Sequence, residues 1–455
     1  MIRITTVIFG DALTNGYATS QSAFDAAFYE AQSLYPDLVR NVSRHTLYRA
    51  GTFVCQNQET AAVMPIAAME VQSAMPRNDR SLNILINTGC TFETAVLADF
   101  AREWNIPVFA SVASGAGLTN ADRYPTLISA PSTDINSLVS ATIQLLQLYN
   151  WTTLSLLCDD LTPNTIDGFS ASTCRTCIAT FAAEKRFRVT VQHFDATAEK
   201  PNQTDDYRAM LYRTKSESRV ILLVAGTKSI VRVLAHRLEM SAGDYVFLVL
   251  VSPETPGLQS IRWQYFDEND QAALETFKSV IIISNRNTNW DRIPDLLPSI
   301  RNRSEIVYNR SRSVEEFNVA SDYVVAAYEL FAMLMKVLNQ SQNELDRLDG
   351  KSLRKKFLKK TFALPSRSVS IGDGGMRLCD ITLSKWNFTS ERMQITWTFN
   401  SIARTLVQSS VSVQWIGGKG PPAHQPSCGY VGDQCIVTSC KGLFRRFFKI
   451  LTNRN

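Results

Sequence analysis

Cys174-Arg175-Thr176-Cys177 is the spacing in this sequence that most resembles working chemistry. A CxxC pair can cycle between dithiol and disulfide, or supply half of a zinc site. Zinc would need a second pair at matching spacing, and the sequence has none. A redox pair should open a helix after a strand, whereas this one falls inside a helical stretch in mid-chain. The expectation is a structural bond from Cys158 to Cys174 or Cys177. The four histidines, His45, His193, His236 and His424, lie far apart, and no His-Glu-x-x-His occurs, so no metal site is expected. No GxxxxGK[ST] is present, nor a GxGxxG after the first strand. Gly372-Asp373-Gly374-Gly375 precedes a strand and reads as a turn, not a phosphate cradle. Ser114, in Val112-Ala113-Ser114-Gly115-Ala116, lacks the preceding glycine of a nucleophile elbow. No paired carboxylates or Ser/His/Asp set can be assembled. The expectation is binding, with no catalytic residue.

The elements that would position a binding site are legible. Short apolar runs alternate with helical stretches: strand 4–9, helix 22–34, strand 82–86, helix 92–104, strand 106–110, helix 134–149 and strand 152–157. Helix 166–185, strand 188–194, helix 205–214, strand 219–224, helix 228–240, strand 245–251 and strand 280–284 follow, then a long helix 315–338 and a basic helix 350–360. Strands apolar on both faces, each followed by a helix, imply an α/β fold with parallel sheets covered on both sides. From about residue 369 the texture changes to strands 376–383, 392–399 and 410–416 without helices between them. From Gly417 the chain turns Gly/Pro-rich, as a linker would. No internal repeat is visible.

The chain has 455 residues, 45% hydrophobic and 20% charged, with a net charge of +5. That length gives two or three domains. The dense basic stretches, Lys351 to Lys360 and Lys441 to Lys449, read as a solvated helix face and a tail, and no nucleic acid is expected. Nine cysteines and seven Asn-x-Ser/Thr sequons (Asn41, Asn150, Asn202, Asn302, Asn309, Asn339 and Asn387) lean toward an oxidising, glycosylating compartment. The sequence shows no signal peptide and no run of 18 or more apolar residues. The expectation is either a cytosolic protein or a piece of a longer one.

Gly89 to Asp160 resembles the receptor-family ligand-binding region shared by natriuretic-peptide receptors, receptor guanylate cyclases and family C G-protein-coupled receptors. The Gly89-Cys90 turn before a helix, Trp104-Asn105-Ile106-Pro107, Tyr124-Pro125-Thr126, Asn150-Trp151 and Asp159-Asp160 carry the likeness. Ser370 to Trp386 (SIGDGGMRLCDITLSKW) is similar to a second segment of that family, with Gly372-Asp373-Gly374-Gly375 where Asn-Gly-Asp-Arg is usual. Trp415, Gly417-Gly418, Pro421-Pro422, Pro426, Cys428-Gly429-Tyr430 and Cys435 are similar to the juxtamembrane end of receptor guanylate cyclases, nematode-type ones above all. The likeness spans about residues 1–435.

The resemblance implies two doubly wound Rossmann-like lobes with three crossovers, the periplasmic-binding-protein-like I architecture. Lobe 1 would hold 1–131 and 286–369, lobe 2 would hold 132–285 and 370–416, and 417–455 would be a juxtamembrane cysteine loop and tail. The crossovers would lie near Ala130-Pro131, Ser284-Asn285 and Ser370-Ile371. Disulfides Cys55–Cys90 and Cys428–Cys435 are implied, as is a chloride held by the Gly89-Cys90 turn. A peptide or small-molecule ligand, a homodimer and a place on the outer face of the plasma membrane are implied too. The signal peptide, membrane helix, kinase-like region and cyclase would lie outside this sequence. The ligand cleft, at the carboxyl ends of the strands, would be formed by Asn87, Thr88, Thr91, Ser111 and Ser114 in lobe 1, and by Asp159, Asp160, Ser252 and Glu254 in lobe 2. The helix 92–104, with Phe92, Leu97 and Trp104, is a candidate dimer face. Alternatives are a soluble solute-binding protein or decoy binder of the same fold, a family C receptor ectodomain, and a cytosolic doubly wound enzyme.

Overall fold

Ile2–Phe9 (IRITTVIF) forms β1, and its side chains divide between two cores. Ile2 and Ile4 enter one, while Val7 and Phe9 enter the other. Such a strand must have helices on both faces. The computed structural model describes residues 1–12, 14–51, 58–74, 81–160, 169–195, 203–224, 238–251, 263–264, 266–285, 288, 290–319, 321–418 and 420–430.

β1 sits inside a five-stranded parallel sheet with β2 (Val42–Arg49), β3 (Leu82–Asn87), β4 (Val108–Ala110) and β5 (Leu127–Ser129). The strand order is β2-β1-β3-β4-β5. Helices Tyr17–Leu34 and Ser321–Gln340 cover one face, and Gln58–Ala74 and Thr91–Trp104 cover the other. Asp25, 4% exposed, accepts hydrogen bonds from Arg44 (2.7 Å), Arg303 (2.5 Å) and Tyr308 (2.7 Å). Those bonds tie the first helix to β2 and to helix Leu296–Ile306.

The second sheet has eight strands. Five are parallel: β6 (Thr153–Asp159), β7 (Arg188–Phe194), β8 (Val220–Val224), β9 (Val246–Val251) and β10 (Val280–Asn285), in the order β7-β6-β8-β9-β10. Both sheets therefore repeat one winding order, which the sequence does not betray as a repeat. A small sheet of β11 (Lys360–Ala363), β12 (Ser368–Ile371) and β13 (Arg377–Leu378) follows. The antiparallel strands β14 (Ile381–Asn387), β15 (Arg392–Asn400) and β16 (Thr405–Gln408) then extend the second sheet from β10. Its faces are covered by Ile135–Leu148 and Phe169–Ala183 on one side and by Gln203–Glu217 and Asp270–Phe277 on the other. The α/β doubly wound architecture expected from the sequence is the one observed.

Several elements differ from expectation. Val42–Arg49 was not read as a strand, because this edge strand is largely polar and only half-buried. The stretch 376–383 is two strands, β13 and β14, in different sheets. The last strand among the described residues is Thr405–Gln408, not 410–416, because the turn ending at Arg404 (φ 53°) returns the chain onto β15 immediately. The basic helix stops at Lys355 and Lys360 opens β11. The expected long helix is described over Val314–Val319 and Ser321–Gln340, with residue 320 outside the described residues. Most of the expected helix 228–240 lies outside the described residues. Val369 and Ile371 pack into the first sheet's core, so the third passage between sheets falls between Leu378 and Ile381, not at Ser370-Ile371.

The tail lies against the second sheet. Trp151 donates from Nε1 to the carbonyl of Pro422 (2.8 Å), and Lys385 on β14 lies 4.7 Å from the centre of the Trp415 ring. Lys385 is 1% exposed and donates to the Lys278 carbonyl (3.0 Å). Burial pushes its ammonium pKa down to about 8. Above that value the folded chain has shed a proton that the unfolded chain still holds, so stability rises with pH up to the ordinary lysine range. At neutral pH the buried charge is a cost. Lys385→Met, which keeps the stem and drops the charge, should stabilise the fold by about 1–2 kcal/mol near neutral pH, with the difference shrinking at alkaline pH. Urea midpoints across pH check this. A variant less stable than the parent at neutral pH contradicts it.

Candidate ligand-binding face

In doubly wound sheets ligands bind beyond the carboxyl ends of the strands, where the strand order reverses. In the first sheet that point lies between β1 and β3, and in the second between β6 and β8. The residues following β3 and β4 include the five first-lobe candidates, and the structure brings them together but commits most of them internally. Asn87 is fully buried, donating to Thr94 Oγ1 (2.9 Å) and accepting from the Gly89 N–H (3.2 Å). Thr88 is 1% exposed, and its carbonyl accepts from Asn15 (3.1 Å). Thr91 Oγ1 accepts from the Gly115 N–H (3.1 Å), which locks the loop after β4 onto the start of helix Thr91–Trp104. Ser111 is fully buried, and its hydroxyl has no hydrogen-bond partner among the described residues. Ser114 is partly exposed.

In the second sheet, Asp159 is buried at the end of β6. Asp160, the next residue, accepts from His193 Nδ1 of β7 at 2.8 Å, and the imidazole is about half exposed. Strand register, which sets Cys158 beside His193, brings the pair together, and the sequence reading did not point to it. Ser252 and Glu254 lie outside the described residues.

Buried charged groups gather where the chain passes between the sheets. Asp134 caps helix Ile135–Leu148 by accepting from the Ser137 N–H (3.0 Å), and it also accepts from the Cys379 N–H (3.3 Å). The Asp134 N–H in turn donates to Asn285 Oδ1 (3.1 Å), so the three chain passages meet at one residue, Asp134. Burial holds that carboxyl above its ordinary pKa, although Ser137, Cys379 and Asn136 donate to it. Glu329, fully buried, binds Ser366, Arg367 and Arg377, and Arg377 also donates to the Pro131 carbonyl (3.3 Å). A cavity of about 640 Å³ opens beside them, lined by Asp134, Ser137, Asp373, Met376, Arg377 and Ser401 among others. None of the strand-end candidates lines it. Sequence reading missed this network because Glu329 and Arg377 are 48 positions apart. Gly372–Gly375 forms the expected turn, with Gly375 at φ 81°.

Cys158 is bonded to Cys174, and Cys177, one turn further along the same helix, is a buried free thiol. Cys90 and Cys428 are each disulfide-bonded, while Cys55 and Cys435 lie outside the described residues. Cys379 is free. Of the sequons, Asn41, Asn150, Asn302 and Asn309 are exposed, and Asn339 and Asn387 are partly so. Asn202 lies outside the described residues. Among the described residues no helix is long and apolar enough to cross a membrane, and no three His, Cys, Asp or Glu side chains gather as a metal site.

Residues 40–388 match the family model described as the receptor family ligand binding region. The chain is 24% identical over 370 residues to atrial natriuretic peptide receptor 2 of Rattus norvegicus, covering 76% of this chain and 33% of that receptor. The receptor of the same name from Homo sapiens is 24% identical over 368 residues, with the same shares. Atrial natriuretic peptide receptor 3 of Rattus norvegicus is 19% identical over 344 residues, covering 73% of this chain and 61% of that protein. The chain thus spans a third of the length of the first two relatives.

Proposed function

This chain belongs to the receptor family of ligand binding regions, and on that premise we propose that it is the extracellular sensor of a single-pass receptor, of the receptor guanylate cyclase kind. It takes a peptide ligand and works as a homodimer, and the cyclase resides in a part of the receptor outside these residues. The observation that carries this reading is the family match, which runs from β2 through β14 and so takes in both sheets. The natriuretic peptide receptors among its relatives support the ligand class.

Two structural features favour a peptide held between protomers over a free amino acid inside the cleft. The polar groups after β3 are occupied within the chain, and Asn87, Thr88 and Ser111 are buried, which leaves few open hydroxyls for a small zwitterion. The neighbouring helices Gln58–Ala74 and Thr91–Trp104 expose Ile66 (52%), Met69 (65%) and Phe92 (51%). Exposed large apolar side chains on two helices that pack together are what an interaction surface would use. Leu97, expected on the same face, is fully buried core. No sequon lies on either helix, so glycans at the sequons would be attached elsewhere.

The chain, fitted with a secretion leader and made in eukaryotic cells, should sediment as a dimer in a concentration series. Met69→Glu combined with Phe92→Glu should raise the dimer Kd by at least about tenfold, the cost of roughly 1.4 kcal/mol. Unchanged sedimentation of the double variant contradicts this surface.

A further inference from the structure

The resemblance to natriuretic-peptide receptors implies a chloride held by backbone N–H groups of the Gly89-Cys90 turn, and the residues around that turn do not fit one. Cys90 is the N-cap of helix Thr91–Trp104 and offers no side-chain cap of its own. Glu93, three residues on, is the acidic residue of the first turn. From that position a glutamate can fold back onto the N-cap backbone N–H, as in a capping box. Burial raises the Glu93 carboxyl above its ordinary pKa, while the backbone N–H groups of Glu93 itself and of Cys90 act to lower it. Glu93 is only 2% exposed, and its Oε2 is buried without a partner among the described residues. The Gly89 N–H is also taken, by Asn87 Oδ1 at 3.2 Å. Gly89 lets the turn close down on this side chain, since a Cβ there would lie 2.7 Å from the Glu93 Cβ. A chloride would therefore find the Gly89 amide engaged and a buried carboxyl beside the turn. Like charges at such a distance repel strongly where water is excluded.

We propose that Glu93 supplies the anion of the Gly89-Cys90 turn from within the chain, so that this protein neither binds nor needs chloride there. The inference does not depend on which ligand the protein takes. It is tested by thermal unfolding of the glycosylated chain in sodium chloride and in sodium gluconate at matched ionic strength, together with chloride NMR line widths. The native chain should show the same Tm in both salts and no chloride broadening. Glu93→Ala, which vacates the turn, should have a lowered Tm in gluconate that chloride partly restores. A chloride-specific rise in Tm or broadening for the native chain overturns the proposal, and that result stands alone if the variant does not fold. A folded Glu93→Ala protein indifferent to chloride also overturns it, because the carboxylate would then not be what fills the anion position.

Discussion

Glu329→Ala should cost the fold about 3–5 kcal/mol, because it strips the counter-charge from two interior guanidiniums. Glu329 is fully buried, and Arg377 is 3% exposed. Oε1 accepts from Ser366 (2.6 Å) and from Arg367 Nε (2.8 Å), while Oε2 accepts from Arg367 (3.2 Å) and Arg377 (2.8 Å). Burial pushes this carboxyl up, but Arg367 and Arg377 override it and hold its pKa below the ordinary value. A carboxylate depressed in the folded state lends stability that is present above the unfolded glutamate value and lost as pH falls through the folded one. Glu329→Ala should therefore lose most near neutral pH and flatten the acid limb of the stability profile. Asp134 and Asp322, raised chiefly by burial, act the other way and lose stability as pH rises through their range. Urea unfolding of parent and variant at neutral and acid pH checks this. A loss under about 1 kcal/mol at neutral pH would mean that the pair behaves as an exposed one.

Cys174→Ala should cost about 3 kcal/mol. The Cys158–Cys174 bond joins residues 16 apart, and closing a loop of that size removes roughly that much free energy from the unfolded chain. Both half-cystines are fully buried, so the variant also leaves a small void between β6 and helix Phe169–Ala183. Cys177→Ala is the control. Its thiol is free, and burial pushes its pKa up to about 12, so little reactive thiolate forms. That variant should lose only about 1 kcal/mol, the cost of a small cavity. Equal losses in the two, or a Cys158–Cys177 link in non-reducing peptide maps, would contradict the assigned pairing.

The parallel strands of both sheets were legible because burial on two faces leaves continuous apolar runs, such as Val220–Val224 and Val246–Val251. Val42–Arg49 was hidden by its edge position, and the division of 376–383 by a change of sheet that no local propensity records. At the strand ends, residue type did not tell role. Asn87 and Thr91 look like ligand groups in sequence, yet they serve the turn and the loop beside them. The crossover network was invisible for another reason: Pro131, Glu329 and Arg377 are remote in sequence and meet only when the chain passes between sheets for the third time. Glu93 was overlooked because a glutamate in a first helical turn is ordinary, and only its 2% exposure sets it apart.

We propose an extracellular sensor that takes peptide between two copies of itself. Sedimentation velocity of the chain made in eukaryotic cells, with and without atrial natriuretic peptide as the first probe and a panel of disulfide-cyclised peptides after it, is the test. The expected result is a dimer that carries one peptide per two chains. A chain that stays monomeric at every concentration, and that binds a free amino acid one per chain while ignoring the peptides, would contradict it.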